Sequence, residues 1–209
     1  MKKNNTESSS HMPLLVGLTG GIGVGKSFCA EIFKWLAVPI YNSDTEAKKI
    51  MVEDPEVKTA IIDLCGPKSY TDAGQLDRGH IASIIFSDNR KLAQINAIVH
   101  PAVGSHFRKW STHHKDVRYV MQESALIFET GSYKNFDKVV VVDAPLEVRI
   151  QRTMSRDSST QEQVSERISK QYDQKQKVEL ADFTIYNDGH QMIIPQILRV
   201  HSALLNHET

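Results

Sequence analysis

Hydrophobic positions along this chain switch between two periods. Leu14–Thr19 is a short run, apolar on both faces, that ends in glycines; this predicts a strand inside a parallel sheet. From Lys26 the spacing changes. Cys29, Ile32, Phe33 and Leu36 fall at i, i+3, i+4 and i+7, the stripe of a helix. Pro39-Ile40-Tyr41 predicts a second strand. Asn42-Ser43-Asp44-Thr45 then offers side chains suited to capping a helix through Ile50 and Val52. Asp54-Pro55 breaks it. Residues 55–115 are mainly helical in pattern: Val57, Ile61 and Leu64 share a face, as do Ile81, Ile84 and Ile85. Gly66-Pro67 and Asp72-Ala73-Gly74 are turns between them. Pro101, after His100, stands as a helix start. Strand signals return at Tyr119–Met121 and, more strongly, at Val139–Val142, whose run ends at Asp143-Ala144-Pro145. A polar, glutamine-rich helical stretch follows to about Val178. Phe183–Tyr186 is the last strand, closed by Asn187-Asp188-Gly189, and Ile193, Ile197, Val200 and Leu204 mark the final helix.

Strands alternating with helices predict an α/β fold, a three-layer α/β/α arrangement around an open, mostly parallel sheet. The gap from about 52 to 118 is too long for one crossover. It reads as a helical insertion, about 53–117, that holds a second substrate. The 209-residue length suits one domain, here 13–209, at about 150 residues per domain. Residues 1–12, a polar start with Ser8-Ser9-Ser10 and then His11-Met12, read as a tag or cloning scar. Twenty-five basic residues balance 25 acidic ones, which argues against a generalist nucleic-acid binder. Cys29 and Cys65 have no metal or redox spacing, and Cys29 falls on the packing stripe. No apolar run nears the roughly 20 residues of a bilayer span, and no apolar leader opens the chain, so a soluble cytoplasmic protein is expected.

The chemistry sits after the first strand. Gly20-Gly21-Ile22-Gly23-Val24-Gly25-Lys26-Ser27 fits G-x-x-x-x-G-K-[ST] in full, between a buried strand and a helix. Glycines let backbone N–H groups turn inward as an anion nest, and the helix N-terminus adds partial positive charge. Lys26 can reach the β- and γ-phosphates, and the Ser27 hydroxyl can ligate Mg²⁺. Phe28 follows within the same first turn. ATP with Mg²⁺ is the expected cofactor pair. A guanine-reading Asn-Lys-x-Asp is missing, so a small-metabolite kinase fits better than a switch GTPase.

The residues from Gly17 to Ser27 resemble the opening of the dephospho-CoA kinase family. Further segments match in order: Ser43-Asp44 with Ala47 and Lys48, Leu76-Asp77-Arg78, Ile85-Phe86-Ser87-Asp88, Ile98-Val99-His100-Pro101, Ala125-Leu126-Ile127-Phe128-Glu129, Val140–Asp143, Arg152, Arg156-Asp157, Arg167, Gln171, and Ala181-Asp182 with Ile185–Gly189. Two departures stand out. Asn42 occupies the place of the family's first Asp, and Ala125 that of its Pro.

The resemblance implies transfer of the ATP γ-phosphoryl to the ribose 3′-hydroxyl of dephospho-CoA, the last step of coenzyme A biosynthesis. Asp44 is the expected base or aligner for that hydroxyl, with helix capping as its other reading. Lys26 and Arg152 complete the catalytic set. ATP contacts are expected from Gly20, Gly21, Gly23, Val24, Gly25, Lys26, Ser27, Phe28, Arg152, Arg156, Asn187 and Gly189. Acceptor contacts are expected from Asp44, Arg78 and His100. Arg149, Arg152 and Arg156 recur on one helical face of a lid, about 147–178; Arg149 reads as part of a solvated basic surface. From Arg149 to Lys177 seven basic residues meet four acidic ones, a local excess of +3 where a lid would face a triphosphate. Glu123 and Glu129 flank a strand end where a water-mediated Mg²⁺ contact is possible; only Glu129 matches the family. A monomer or weak homo-oligomer is expected, with no nucleic-acid or membrane partner. Two alternatives remain at this stage: a P-loop kinase for a nucleoside or small hydroxy acid, and a nucleotide-binding regulator with an inactive site.

Overall fold

Each strand expected from the hydrophobic pattern forms, and all five run parallel. They are β1 (Leu14–Thr19), β2 (Ile40–Asn42), β3 (Tyr119–Glu123), β4 (Lys138–Asp143) and β5 (Phe183–Tyr186), in the order β2-β3-β1-β4-β5. The structure, a computed structural model, describes residues 12–207; the tag reading of the N-terminal segment falls outside these, Met12 apart. Among the described residues no helix is long and apolar enough to cross a membrane.

The period of two along each strand sorts side chains between the two faces. Leu14, Val16 and Leu18 of β1, Tyr119 and Met121 of β3, and Val140 and Val142 of β4 join one core. That core is closed by α1 (Lys26–Trp35) through Cys29, Ile32 and Phe33, and by α9 (Ile193–Leu205) through Ile197, Val200 and Leu204. Burial pushes the Cys29 thiol up to about 12, as suits a packing residue. On the opposite face Val120 and Leu15 meet a second core. It is built by α2 (Ser43–Glu53), α3 (Pro55–Cys65), α4 (Arg78–Ser87) and α5 (Asn89–Ser111). Gly17 of β1 lets Ile127 and Phe136 press onto the strand: a Cβ there would lie 2.9 Å from Ile127 Cδ1.

Local caps set the helix starts. Asn42 accepts from the Thr45 N–H at 2.9 Å and opens α2. Asp54 accepts from the Glu56 and Val57 N–H groups, and Pro55 takes the first position of α3, so the expected break is also the next start. Pro101 corrects one expectation. It starts no helix but lies inside the 23-residue α5, which Asp88 caps. The buried stripe Ile95, Val99, Val103 and Phe107 runs straight past it, and packing of that face outweighs the one backbone hydrogen bond a proline removes.

After β4 the polar stretch divides into α6 (Leu146–Asp157), α7 (Gln161–Ser169) and α8 (Gln174–Glu179). A capping box at Thr160 and Gln163 starts α7, and Asp173 caps α8. Chain order reverses at β1, which lies between β3 and β4. A crevice therefore opens at the carboxyl ends of these strands, the place where open α/β sheets bind ligands.

Candidate active site

The loop Gly20–Gly25 turns from β1 into α1 within this crevice. Gly25 adopts φ 92°, and a Cβ on it would collide with the Asn187 side chain, so this position needs glycine twice over. No side chain caps α1, which leaves its first-turn N–H groups facing the loop. Val24 is fully buried and roots the loop in the core; Phe28 is exposed beside it. Lys26 Nζ reaches back across the loop to the carbonyls of Gly20 (2.9 Å) and Gly21 (3.3 Å). Burial brings its ammonium down to about 8, against the opposing pull of the Glu123 and Asp44 carboxylates.

Beside the loop lies the strand-end carboxylate of Glu123, which the sequence offered for a water-mediated Mg²⁺ contact without a family match. Glu123 ends β3 and is only 7% exposed. Its Oε1 accepts from Ser27 Oγ at 2.7 Å and its Oε2 from Asn42 Nδ2 at 2.8 Å. Sheet register makes this meeting inevitable, since Glu123 pairs with Leu18 on one side and Asn42 on the other. The available signal was a carboxylate at the ligand-facing end of an otherwise apolar strand.

The segment after β4 closes over the other side of the loop. Arg149 does not belong to a solvated face: it is 5% exposed, and its Nε donates to the Ile22 carbonyl at 3.0 Å. The cause is tertiary. Helix α6 leaves β4 next to β1, so its arginine face turns onto the loop. The carboxamides of Gln171 and Gln174 accept from the N–H groups of Ile22 (2.9 Å) and Gly21 (3.0 Å). Gln174 also donates to the Val142 carbonyl at 2.8 Å. Arg152 donates to Asn187 O at 3.0 Å, and Asn187 Nδ2 in turn donates to the Val24 carbonyl at 2.8 Å, so both expected residues meet at the loop. Arg156 and Arg167 instead converge on Asp157, at 2.7 and 2.6 Å, on the exposed side. Gly189 is exposed at φ 85° in the turn after β5.

Glu129 lies farther from the loop's serine, at the root of the segment after α6. Its Oε1 pairs with Lys177 at 2.6 Å and accepts from the Tyr172 N–H at 2.9 Å. Lys177 is fully buried, and burial lowers its ammonium against the pull of Glu129. Through Oε1 this carboxylate anchors the root of the α7–α8 segment, while its Oε2 is buried without a hydrogen-bond partner among the described residues.

A cleft of about 610 Å³ lies between α2, α5 and the segment after β3. Asp44, His100, Arg108, Gln122, Ser124 and Phe136 are among its lining residues. Asp44 is exposed in the first turn of α2 and has no hydrogen bond to another described side chain. Arg108 is the one formal cation among the described lining residues, and it donates to Asn135 Oδ1 at 2.9 Å. Arg78 is not brought here. It begins α4 at an exposed position and does not line the cleft.

A phosphate-cradling loop with its lysine and serine, arginines folded onto it, and an adjoining cleft with a free carboxylate define a P-loop kinase site on a three-layer α/β/α fold. The dephospho-CoA kinase family model matches residues 14–192, and the chain belongs to that family. A dephospho-CoA kinase of Bacteroides fragilis is 39% identical over 193 residues, 92% of this chain and 94% of the relative. A crystal structure from Thermus thermophilus superposes with a TM-score of 0.80 at 27% identity, over 94% of this chain and 100% of that one. The dephospho-CoA kinase of Campylobacter jejuni shares the fold, with a TM-score of 0.67 at 24% identity, over 91% of this chain and 96% of that one. The chain is thus an ATP-dependent kinase acting on a hydroxyl acceptor, in coenzyme A biosynthesis. Membership sets aside the nucleoside and hydroxy-acid alternatives, and the resemblance read from the motifs is borne out.

Proposed function

We propose that the loop and the cleft together transfer the γ-phosphoryl of ATP to the ribose 3′-hydroxyl of dephospho-CoA, with CoA and ADP as products. The observation that carries the reading is the position of Asp44. It lines the cleft and also acts electrostatically on Lys26 of the loop. The acceptor hydroxyl, bound in the cleft, gives its proton to the Asp44 carboxylate as its oxygen bonds to the γ-phosphorus. The bond from that phosphorus to the β–γ bridging oxygen breaks, and ADP leaves. Lys26 and Arg152 hold the phosphoryl oxygens, and loop N–H groups from Gly20 to Phe28 cradle the chain of phosphates. Arg149 belongs with them. Segment 147–178 acts as the lid, with Asn187 and Gly189 toward the nucleotide. His100 and Arg108 face the acceptor, Arg108 toward its diphosphate.

Hard oxygen donors suit Mg²⁺, and the Ser27 hydroxyl beside buried Glu123 offers such a set. Ser27, with Glu123 behind it, would hold the Mg²⁺, which would supply positive charge against the phosphate oxygens. A coupled ADP-release assay with dephospho-CoA, a nucleoside and shikimate as acceptors tests the proposed transfer. ADP release is expected only with dephospho-CoA; release with either other acceptor, or with none of the three, overturns the reading.

A further inference from the structure

Glu123 presents a problem of charge. It is nearly buried, yet among the described residues it forms no ion pair. Lys26, whose ammonium interacts electrostatically with this carboxylate, donates its hydrogen bonds to the Gly20 and Gly21 carbonyls instead. Its two partners, Ser27 and Asn42, are neutral. A buried carboxylate whose hydrogen-bond donors are all neutral is costly, even in the field of Lys26, and it is retained where its negative charge has a use. The Ser27 hydroxyl donates its one proton to Glu123, which leaves the lone pairs of the serine oxygen available to a metal. Asn42 fixes the second carboxylate oxygen while its own carbonyl caps α2 through Thr45.

We propose that Glu123 is the metal-positioning carboxylate of this chain, with Asn42 as its orienting partner: the negative charge that the family carries on β2 has moved one strand inward, onto β3. The inference rests on the reading of Ser27 as a magnesium donor. Asn42 and Glu123 are cross-strand neighbours joined by one hydrogen bond, so the amide and carboxylate can exchange places with little change in volume or net charge.

The test is Mn²⁺ binding to the full chain with ADP, followed by electron paramagnetic resonance, together with thermal unfolding and ADP affinity in EDTA. Glu123→Gln is expected to weaken Mn²⁺ binding by about ten- to a hundredfold. In acidic buffer, where Lys26 keeps its proton with or without the Glu123 charge, metal-free ADP affinity and the unfolding temperature should stay near those of the parent. The exchanged pair Asn42→Asp/Glu123→Gln is expected to recover Mn²⁺ affinity to within a few-fold, an outcome no merely structural hydrogen bond would give. Parent-like Mn²⁺ affinity in Glu123→Gln overturns the inference, as does a folded exchanged pair that binds Mn²⁺ only weakly. If Glu123→Gln does not fold, the exchanged pair alone decides by the same criterion. Failure of the underlying readings looks different. Ser27→Ala would then leave Mn²⁺ affinity unchanged, or the parent would release no ADP with dephospho-CoA.

Discussion

Lys26 makes nucleotide binding report on its own protonation. Burial in the loop brings its ammonium down to about 8, the Glu123 and Asp44 carboxylates pull it back up, and the positive charges of Lys177 and Arg149 lower it. Below pH 8 the free site already carries the proton, and above it the site is increasingly neutral. A triphosphate set against the ammonium raises its pKa again, so binding above pH 8 must draw a proton from solution. With a midpoint near 8, the free lysine is about one-tenth neutral at pH 7 and about three-quarters neutral at pH 8.5. Uptake per ATP should therefore rise from about 0.1 to about 0.7 proton between those values, and affinity should fall toward tenfold per pH unit beyond. Calorimetry of ATP binding without acceptor, in buffers of different ionisation enthalpy, reads the proton count directly. The rise should vanish in Lys26→Met. No uptake at pH 8.5, or equal uptake in Lys26→Met, would refute the argument, because the two carboxylates would then fully offset burial.

Asp44→Asn should cut turnover at least about a hundredfold while ATP affinity stays nearly intact, the signature of a lost proton acceptor; unchanged kcat removes the assignment. Arg108→Ala should raise the KM for the acceptor about tenfold and leave that for ATP alone, as read from initial rates with each substrate varied. Lys177→Met should destabilise the chain by about 3–5 kcal/mol in denaturant unfolding, since it strands a mostly buried Glu129; adding Glu129→Leu should return most of that loss.

Legibility in the sequence followed how local each signal was. The strands and the glycine loop were readable because period-two runs and G-x-x-x-x-G-K-S depend on neighbours within a few residues. Pro101 misled because proline speaks for its own turn, whereas α5 is held by a stripe of side chains four residues apart that reaches well beyond it. Arg149 misled for the opposite reason. The pattern placed three arginines on one face, but which face meets the loop depends on α6 leaving β4 beside β1. Glu129 matched the family, yet its partner Lys177 lies 48 positions along, inside the polar stretch, and no periodicity links the two. Glu123 was visible as a strand-end acid with a possible metal contact, but its partner Asn42 depended on the register that sets the two side by side.

The local excess of +3 after β4 needs the same correction, because most of its charge is already engaged. Arg156 and Arg167 share Asp157, Lys170 pairs with Glu166 at 2.8 Å, and Lys177 is paired with Glu129. Arg149 and Arg152 differ in kind. Their guanidiniums lie against neutral oxygens, the carbonyls of Ile22 and Asn187. A phosphate displaces a neutral carbonyl from a guanidinium more easily than it displaces a carboxylate, because charge-assisted hydrogen bonds are about twice as strong as neutral ones. Arg149 and Arg152 can therefore turn to a triphosphate at small cost, whereas Arg156 must first leave Asp157. Positive charge at this site thus acts through two poised arginines and Lys26. The paired cations around them fix the shape of the segment that delivers those arginines.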